Sequence, residues 1–303
     1  MRKNKAQKTV NFYHIEAKTE IIKKVDDKLK DTFNKLKSHK SDQIRTIDIK
    51  ENDYYISAMQ EETVDDNGLE NVWLINLSRL DPSRQINIGD LDVDIEHRNK
   101  PYDKTDRQGQ VIDTQFLYNP ITHICAFART AGGVNKALLK SFLLRFCEVR
   151  GLNFAVILDE VAYTRIDKMQ KPSSLTYTVA SPSNVSNIVK SSRDELQDIE
   201  YANELSAGKM TMTLKADGNS KLDMHKAVAK AKALFKNSET LGIRKLELDG
   251  INDDGVFEPI DLVQHKLDYR GAVEYDNIIT VRNMFDYLIL AYHSNYTYCQ
   301  KYK

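Results

Sequence analysis

A chain of 303 residues is long enough for about two domains, each with its own core. Its 44 Lys and Arg balance its 44 Asp and Glu, which excludes a global field drawing it to nucleic acid or membrane and leaves any polyanion contact to local patches. Its three cysteines, Cys125, Cys147 and Cys299, lie among apolar neighbours at spacings that match no zinc or redox pattern; a disulfide framework is excluded and a reduced, cytoplasmic setting fits.

Met1 to Lys8 is basic but runs into alternating residues, and no run approaches ~18 apolar residues. The chain is therefore expected to be neither exported nor inserted in a membrane. Val10, Phe12 and His14 alternate with Asn11, Tyr13 and Ile15, which predicts an opening strand. A helix follows over Lys18 to Lys40, because Ile21, Ile22, Val25, Leu29, Phe33 and Leu36 recur at helical spacing, with lysines and acids interleaved on the other face. Thr46 to Ile49 and Tyr54 to Met59 flank Glu51-Asn52-Asp53 as a hairpin, and Val72 to Leu77 is a further strand.

The best-patterned stretch comes next. Phe116-Leu117-Tyr118 and Ile124-Cys125-Ala126-Phe127-Ala128 flank the turn Asn119-Pro120, and Gly132-Gly133 precedes a helix carrying Ala137, Leu138, Leu139, Phe142, Leu143, Leu144 and Phe146. Leu152 to Val161 reads as a strand, and Lys171-Pro172-Ser173-Ser174 or Ser181-Pro182-Ser183 as a seam. Beyond it the order is strand Leu175 to Ala180, helix Asn184 to Ser206, strand Lys209 to Ala216, helix Lys221 to Asn237 and strand Arg244 to Asp249. Asp253-Asp254-Gly255 is a turn, and a last helix runs from Thr280 to about Tyr298.

The fold class predicted is α+β. An N-terminal, mainly antiparallel sheet domain with few helices spans 1–172, and a C-terminal α/β-layer domain spans 173–303 and ends in a long helix.

Catalytic signatures are absent. There is no Gly-x-x-x-x-Gly-Lys-Ser/Thr, no Gly-x-Gly-x-x-Gly and no Gly-x-Ser-x-Gly, and the seven histidines form no i,i+4 pair. Nothing points to a cofactor. Gly132-Gly133 ahead of a helix admits a phosphate cradle or a turn that simply needs positive φ, and Arg129 at the adjoining strand end is a candidate phosphate contact. Asp90, Asp92, Asp94 and Glu96 would share one strand face at about 6 to 7 Å intervals. That strip reads as a charged, solvated edge, as an acidic docking or regulatory surface, or as a metal site, although a straight strand spreads its oxygens apart. Basic patches are better represented. Lys136 and Lys140 stud the helix after the double glycine, and Lys226, Lys230 and Lys232 stud a later one.

The layout also resembles the RexA-like phage-exclusion proteins of lambdoid prophages and related bacterial and prophage proteins. The resemblance rests on Phe116-Leu117-Tyr118 and on Ile124 to Thr130, where the family shows two apolar segments ending in a similar Gly-Phe-Ala-Arg-Thr; Ala126 here stands in place of the glycine. It extends to the order of strand, Lys-rich helix, strand, Asp253-Asp254-Gly255 and tyrosine-bearing terminal helix. It implies a dimeric, non-catalytic DNA-binding protein of phage–host conflict; the leading reading takes the DNA as double-stranded and the setting as phage exclusion or abortive infection. Only Arg129 and Thr130 carry over by motif.

The reading is thus a homodimer that docks on DNA phosphates through Arg129, Lys136, Lys140, Lys226, Lys230 and Lys232, with an additional phage or neighbouring-gene protein as partner. Two alternatives stand beside it. One is a metal-dependent nuclease using Asp92, Asp94, Asp159 or Glu160; the other is a module that senses a phage protein and touches no nucleic acid.

Overall fold

The computed structural model describes residues 4–65, 67–89, 92, 99–180, 197–217, 220–239 and 241–302. In chain order the elements begin with β1 (Asn4–Glu16), α1 (Thr19–Lys37), β2 (Ile47–Ile49), β3 (Asn52–Thr63) and β4 (Asn71–Asp81). There follow β5 (Asn87–Gly89), β6 (Asn99–Pro101), β7 (Gln110–Tyr118), β8 (Ile124–Ala128), α2 (Lys136–Phe146), β9 (Asn153–Val156), α3 (Glu160–Lys168) and β10 (Met169–Val179). The remainder comprises α4 (Gln197–Glu204), β11 (Met210–Lys215), α5 (Met224–Lys236), β12 (Ile243–Asn252), β13 (Phe257–Asp261), β14 (Asp268–Tyr275), α6 (Val281–Ser294) and α7 (Tyr296–Cys299). The protein is mixed α+β, as its sequence predicts, and among the described residues no helix is long and apolar enough to cross a membrane.

The chain forms two compact units. One comprises Met1–Phe154 with Tyr269–Lys303, the other Ala155–Asp268. This division differs from the sequence expectation at two points. Position 172 lies inside β10, and the terminal helix belongs with the N-terminal sheet.

In the first unit the sheet runs in the order β14-β1-β8-β7-β4-β3-β2, with β9 also pairing β1. All five residues of β8 are buried, so both sheet faces are covered. Tyr118 at the end of β7 reaches Asp26 of α1, whereas the next residue, Asn119, reaches Tyr292 of α6. Alternation therefore sets α1 and α6 on opposite faces. Helix α2 joins the α1 side through Phe142 and Phe146, whose rings stack at 5.0 Å, and Lys28 of α1 lies over Phe146 at 5.4 Å.

Local chemistry sets the ends of these elements. Helix α1 stops three residues before Lys40 because His39 adopts φ 56°, while Lys40 N donates to Lys35 O at 2.8 Å and His39 N to Leu36 O at 3.1 Å. That is a Schellman closure with histidine where glycine is usual, so the sequence carries no stop signal. The β2–β3 hairpin turns at Lys50 (φ 55°) and Glu51 (φ 64°), one step before the expected Glu51-Asn52-Asp53, in the primed geometry that matches strand twist. At the β7–β8 turn the Asn119 side chain accepts from Ile121 N at 2.8 Å and Thr122 N at 3.2 Å. It thus replaces backbone hydrogen bonds that Pro120 helps to break. All three cysteines are free and buried; burial pushes the thiols of Cys147 and Cys299 up to about 12.

In the second unit four antiparallel strands run β11-β10-β12-β13. Leu175, Tyr177 and Val179 of β10 and Leu246 and Leu248 of β12 face a core completed by Ile199 of α4 and Ala231, Leu234 and Phe235 of α5, all of them at most 1 % exposed. The other face carries threonines in a ladder, Thr176 with Thr213 and Thr178 with Thr211.

Lys171-Pro172-Ser173-Ser174, expected to be a seam, is instead the irregular start of β10. Register shifts flank Pro172, which lies opposite Gly250, and a Cβ on Gly250 would stand 2.6 Å from Lys171 O and 2.9 Å from Pro172 Cα. A bulge accommodates the missing proline N–H, and glycine lets the bulged backbone come close. The strand expected over Leu152 to Val161 ends at Val156. Asp159 there accepts from Ala162 N at 2.7 Å and opens helix α3, with Arg165 and Lys168 in the last turn. An N-cap acid followed by late cations is a helix signal that the apolar run concealed. The expected helix from Asn184 lies outside the described residues up to Gln197, where α4 begins.

Candidate functional site

The double-glycine turn makes contacts within the protein itself. Gly132 has φ +69°, and a Cβ on Gly133 would lie 2.4 Å from Thr114 Oγ1. Gly133 N donates to Thr130 O at 3.1 Å, Val134 N to Thr114 Oγ1 at 2.9 Å, and Arg79 Nη1 to Gly132 O at 2.9 Å. The amides of Gly133 and Val134 are thus already used, and positive φ at Gly132 with close packing at Gly133 accounts for the pair.

Past this turn, Asn135 caps α2 by accepting from Leu138 N at 2.9 Å. The first turn of α2 contains no acid. Lys136 lies over the Tyr13 ring at 5.3 Å, and Lys140 follows one turn later, half-buried. Burial, together with the Lys136 charge, holds the Lys140 ammonium below the usual lysine range. Two like charges at i,i+4, near the positive end of a helix, raise the local potential and favour an anion in front of them. Arg129 is exposed at the end of β8, fixed by its own N–H to Thr9 O at 2.9 Å.

The second set of lysines is arranged differently. On α5, Lys226 is exposed; its N–H donates to the N-cap Asp223 at 2.9 Å. Lys230 turns inward. Its Nζ lies 3.1 Å from Asp198 Oδ2, with both side chains 16 % exposed, and 5.3 Å from the centre of the Tyr177 ring, so it ties α5 to α4. Lys232 lies 3.7 Å from Asp167. The three lysines of this helix therefore do not act as one solvent-facing strip, and the charge available to an outside partner centres on Lys226.

Of the acidic strip, Asp90, Asp94 and Glu96 lie outside the described residues, and Asp92 is exposed in a turn. Asp159 is used twice within the fold. Oδ1 caps α3 and Oδ2 lies 2.9 Å from His265 Nδ1. Glu160 is the first residue of α3. Among the described residues no group of three or more His, Cys, Asp or Glu is placed to hold a metal ion.

Two polar chains are not evident from the sequence. In the first unit, Tyr118 OH, 1 % exposed, donates to Asp26 Oδ1 at 2.8 Å and lies 3.3 Å from His123 Nδ1. Burial pushes the Asp26 carboxyl up to about 6, against the Tyr118 bond that lowers it and with the Asp27 charge that adds to the rise. Burial, then the nearby His14, pushes the His123 imidazole down. In the second unit, His265 is held between Asp159 on Nδ1 and Arg165 on Nε2, at 3.3 Å, and Arg165 is paired with Glu258. With a guanidinium on Nε2 and a carboxylate on Nδ1, that imidazole is positioned as a strut and not as a base open to substrate. His265 and Asp159 are 106 positions apart, and no local motif links them.

Compared with protein-family models, with curated proteins and with solved structures, the chain finds no match.

Proposed function

We propose that this chain is a non-catalytic protein of phage exclusion or abortive infection that binds double-stranded DNA as a homodimer, largely through backbone phosphates. The observation that supports it best is the Lys136 and Lys140 pair near the positive end of α2, where burial and mutual repulsion together disfavour the Lys140 charge. A phosphate in front of such a pair relieves that repulsion. Arg129, in the segment that resembles the phage-exclusion proteins, supplies an exposed guanidinium at the preceding strand end, and Lys226 is a secondary contact. Lys230 and Lys232 contribute chiefly to the fold.

The reading is tested by gel-shift titration on a generic duplex at two salt concentrations, with and without magnesium. Retardation that weakens with salt and leaves the DNA intact is expected. Replacing both Lys136 and Lys140 by Glu, with folding checked by circular dichroism, should abolish most of the retardation and reduce the slope of log affinity against log salt by roughly 2. Lys230→Glu, by contrast, should act on stability. Cleavage in magnesium would move the function to the nuclease alternative, and neither shift nor cleavage to the protein-sensing module.

A further inference from the structure

Strand β11 is an edge strand of unusual composition. It pairs with β10 along Met210 to Lys215, and among the described residues no strand pairs with its outer side. Its burial alternates only weakly, and Thr211, Thr213, Leu214 and Lys215 are exposed. Natural edges are blunted by proline, by charged side chains or by bulges; Met210-Thr211-Met212-Thr213-Leu214 has none of these, the strand's one charge, Lys215, stands at its end, and its pairing with β10 is regular. The opposite edge, β13, is guarded by Pro259. The register also shows what the open edge lacks. Leu214 lies beside Leu175 and Met212 beside Tyr177, on the core face, yet Leu214 is still 39 % exposed, with no further strand over it among the described residues.

We infer that β11 is the self-association surface of this protein, pairing antiparallel with β11 of a second copy about a two-fold axis at Thr213. This rests on the homodimer of the proposed reading and is independent of DNA binding. Faces decide the register first. An isologous antiparallel pair keeps each sheet face continuous, so directly opposed residues share a face and the axis must pass beside a residue. An axis at Met212 sets Lys209 against Lys215 of the other copy, twice, which is repulsive. An axis at Thr213 sets Lys209 against Asp217, twice, and Met212 against Leu214 on the core face, while the threonine ladder continues through Thr213 facing its own copy. The backbone supports this length at the Asp217 end, since Ala216 N still donates to Ser173 O at 2.8 Å beyond the strand, and Lys209 and Asp217 are both exposed. The two four-stranded sheets thereby become one continuous sheet.

The experiment is analytical ultracentrifugation of the full chain combined with charge reversal and cross-linking. The parent protein should sediment as a dimer. Lys209→Asp, which turns two attractive pairs into repulsive ones, should weaken the dimer about tenfold, and adding Asp217→Lys should restore it. Thr213→Cys should form an intermolecular disulfide on mild oxidation, because opposed strand Cα atoms lie within the distance a disulfide spans, whereas Thr176→Cys on the neighbouring strand should not. A dimer whose affinity is unchanged by Lys209→Asp and which fails to cross-link at position 213 overturns the β11 interface while leaving the homodimer standing. A parent chain that stays monomeric at all concentrations overturns both.

Discussion

In the first unit every residue of β8 and seven consecutive residues of β4 are buried, whereas in the second unit β10 alternates between an apolar core face and a face of serine and threonine, and β11 is largely exposed. The first sheet is covered on both faces, and its central strands read as continuous apolar runs. Even its polar side chains are internal. Gln115 donates to Asn76 Oδ1 at 2.6 Å, Asn76 to Ser57 Oγ at 2.6 Å, and Ser78 to Asp113 Oδ1 at 2.6 Å, so these buried groups find partners across the strands. The second sheet stacks its helices on one face. The difference teaches that one unit encloses its strands on both sides and the other presents backbone and polar surface outward.

That contrast can be broken in order of expected effect. Phe142→Ala removes a ring with no exposed surface from between α2 and the first sheet, and should cost about 3–5 kcal/mol. Because Trp73 is the single tryptophan and lies in β4, its fluorescence in a urea titration reports this loss in the first unit. Gly250→Ala strikes the bulge of the second sheet, where the new methyl meets backbone at 2.6 Å. It should cost about 1–3 kcal/mol, seen by circular dichroism as an earlier transition. A midpoint unchanged in either variant would remove the corresponding packing argument.

Asp26→Asn sharpens the comparison through pH. The folded carboxyl is raised to about 6 from an unfolded value near 3.9, so the folded state prefers the protonated form. Its contribution to stability is full below about pH 4 and is lost as pH rises through about 6. The Asn variant, always neutral, should therefore gain about 1–2 kcal/mol on the parent between pH 5 and pH 7.5. Parallel melting curves over that range would show that Asp26 is better solvated than its place beside Tyr118 implies. The smallest effect belongs to the polar face of the second sheet, where Thr176→Ala removes one hydroxyl contact of 3.2 Å to Thr213 and should cost less than about 1 kcal/mol.

Much of the fold was legible because apolar period is local information. The opening strand, α1, the β7–β8 hairpin with its Asn119 turn, α2, α5 and α6 all follow from it. What escaped had weak or misleading local signals. β14 carries Arg270, Gly271 and Glu274 among its few apolar residues, and its place is given by β1 beside it. Pro172 suggested a boundary, yet a bulge opposite Gly250 absorbs it. The candidate site was legible to a similar degree. Helical spacing put Lys136 and Lys140 on one helix face and also Lys226 and Lys230, but only the fold shows that Lys230 turns to Asp198 and Tyr177.

By itself, then, the sequence determined which residues seek the interior, the balance of charge, and the positions where glycine or asparagine allows a turn, since each depends on a residue and its close neighbours. The tertiary structure decided what each apolar face meets. The stripe of α6 announces a buried helix, but only the chain's return after Asp268 sets Tyr292 against Asn119 and Glu70 and makes the last helix part of the first unit. Among the described residues it likewise left β11 as an edge, because strand order depends on pairings between segments far apart in the chain, which no local pattern encodes.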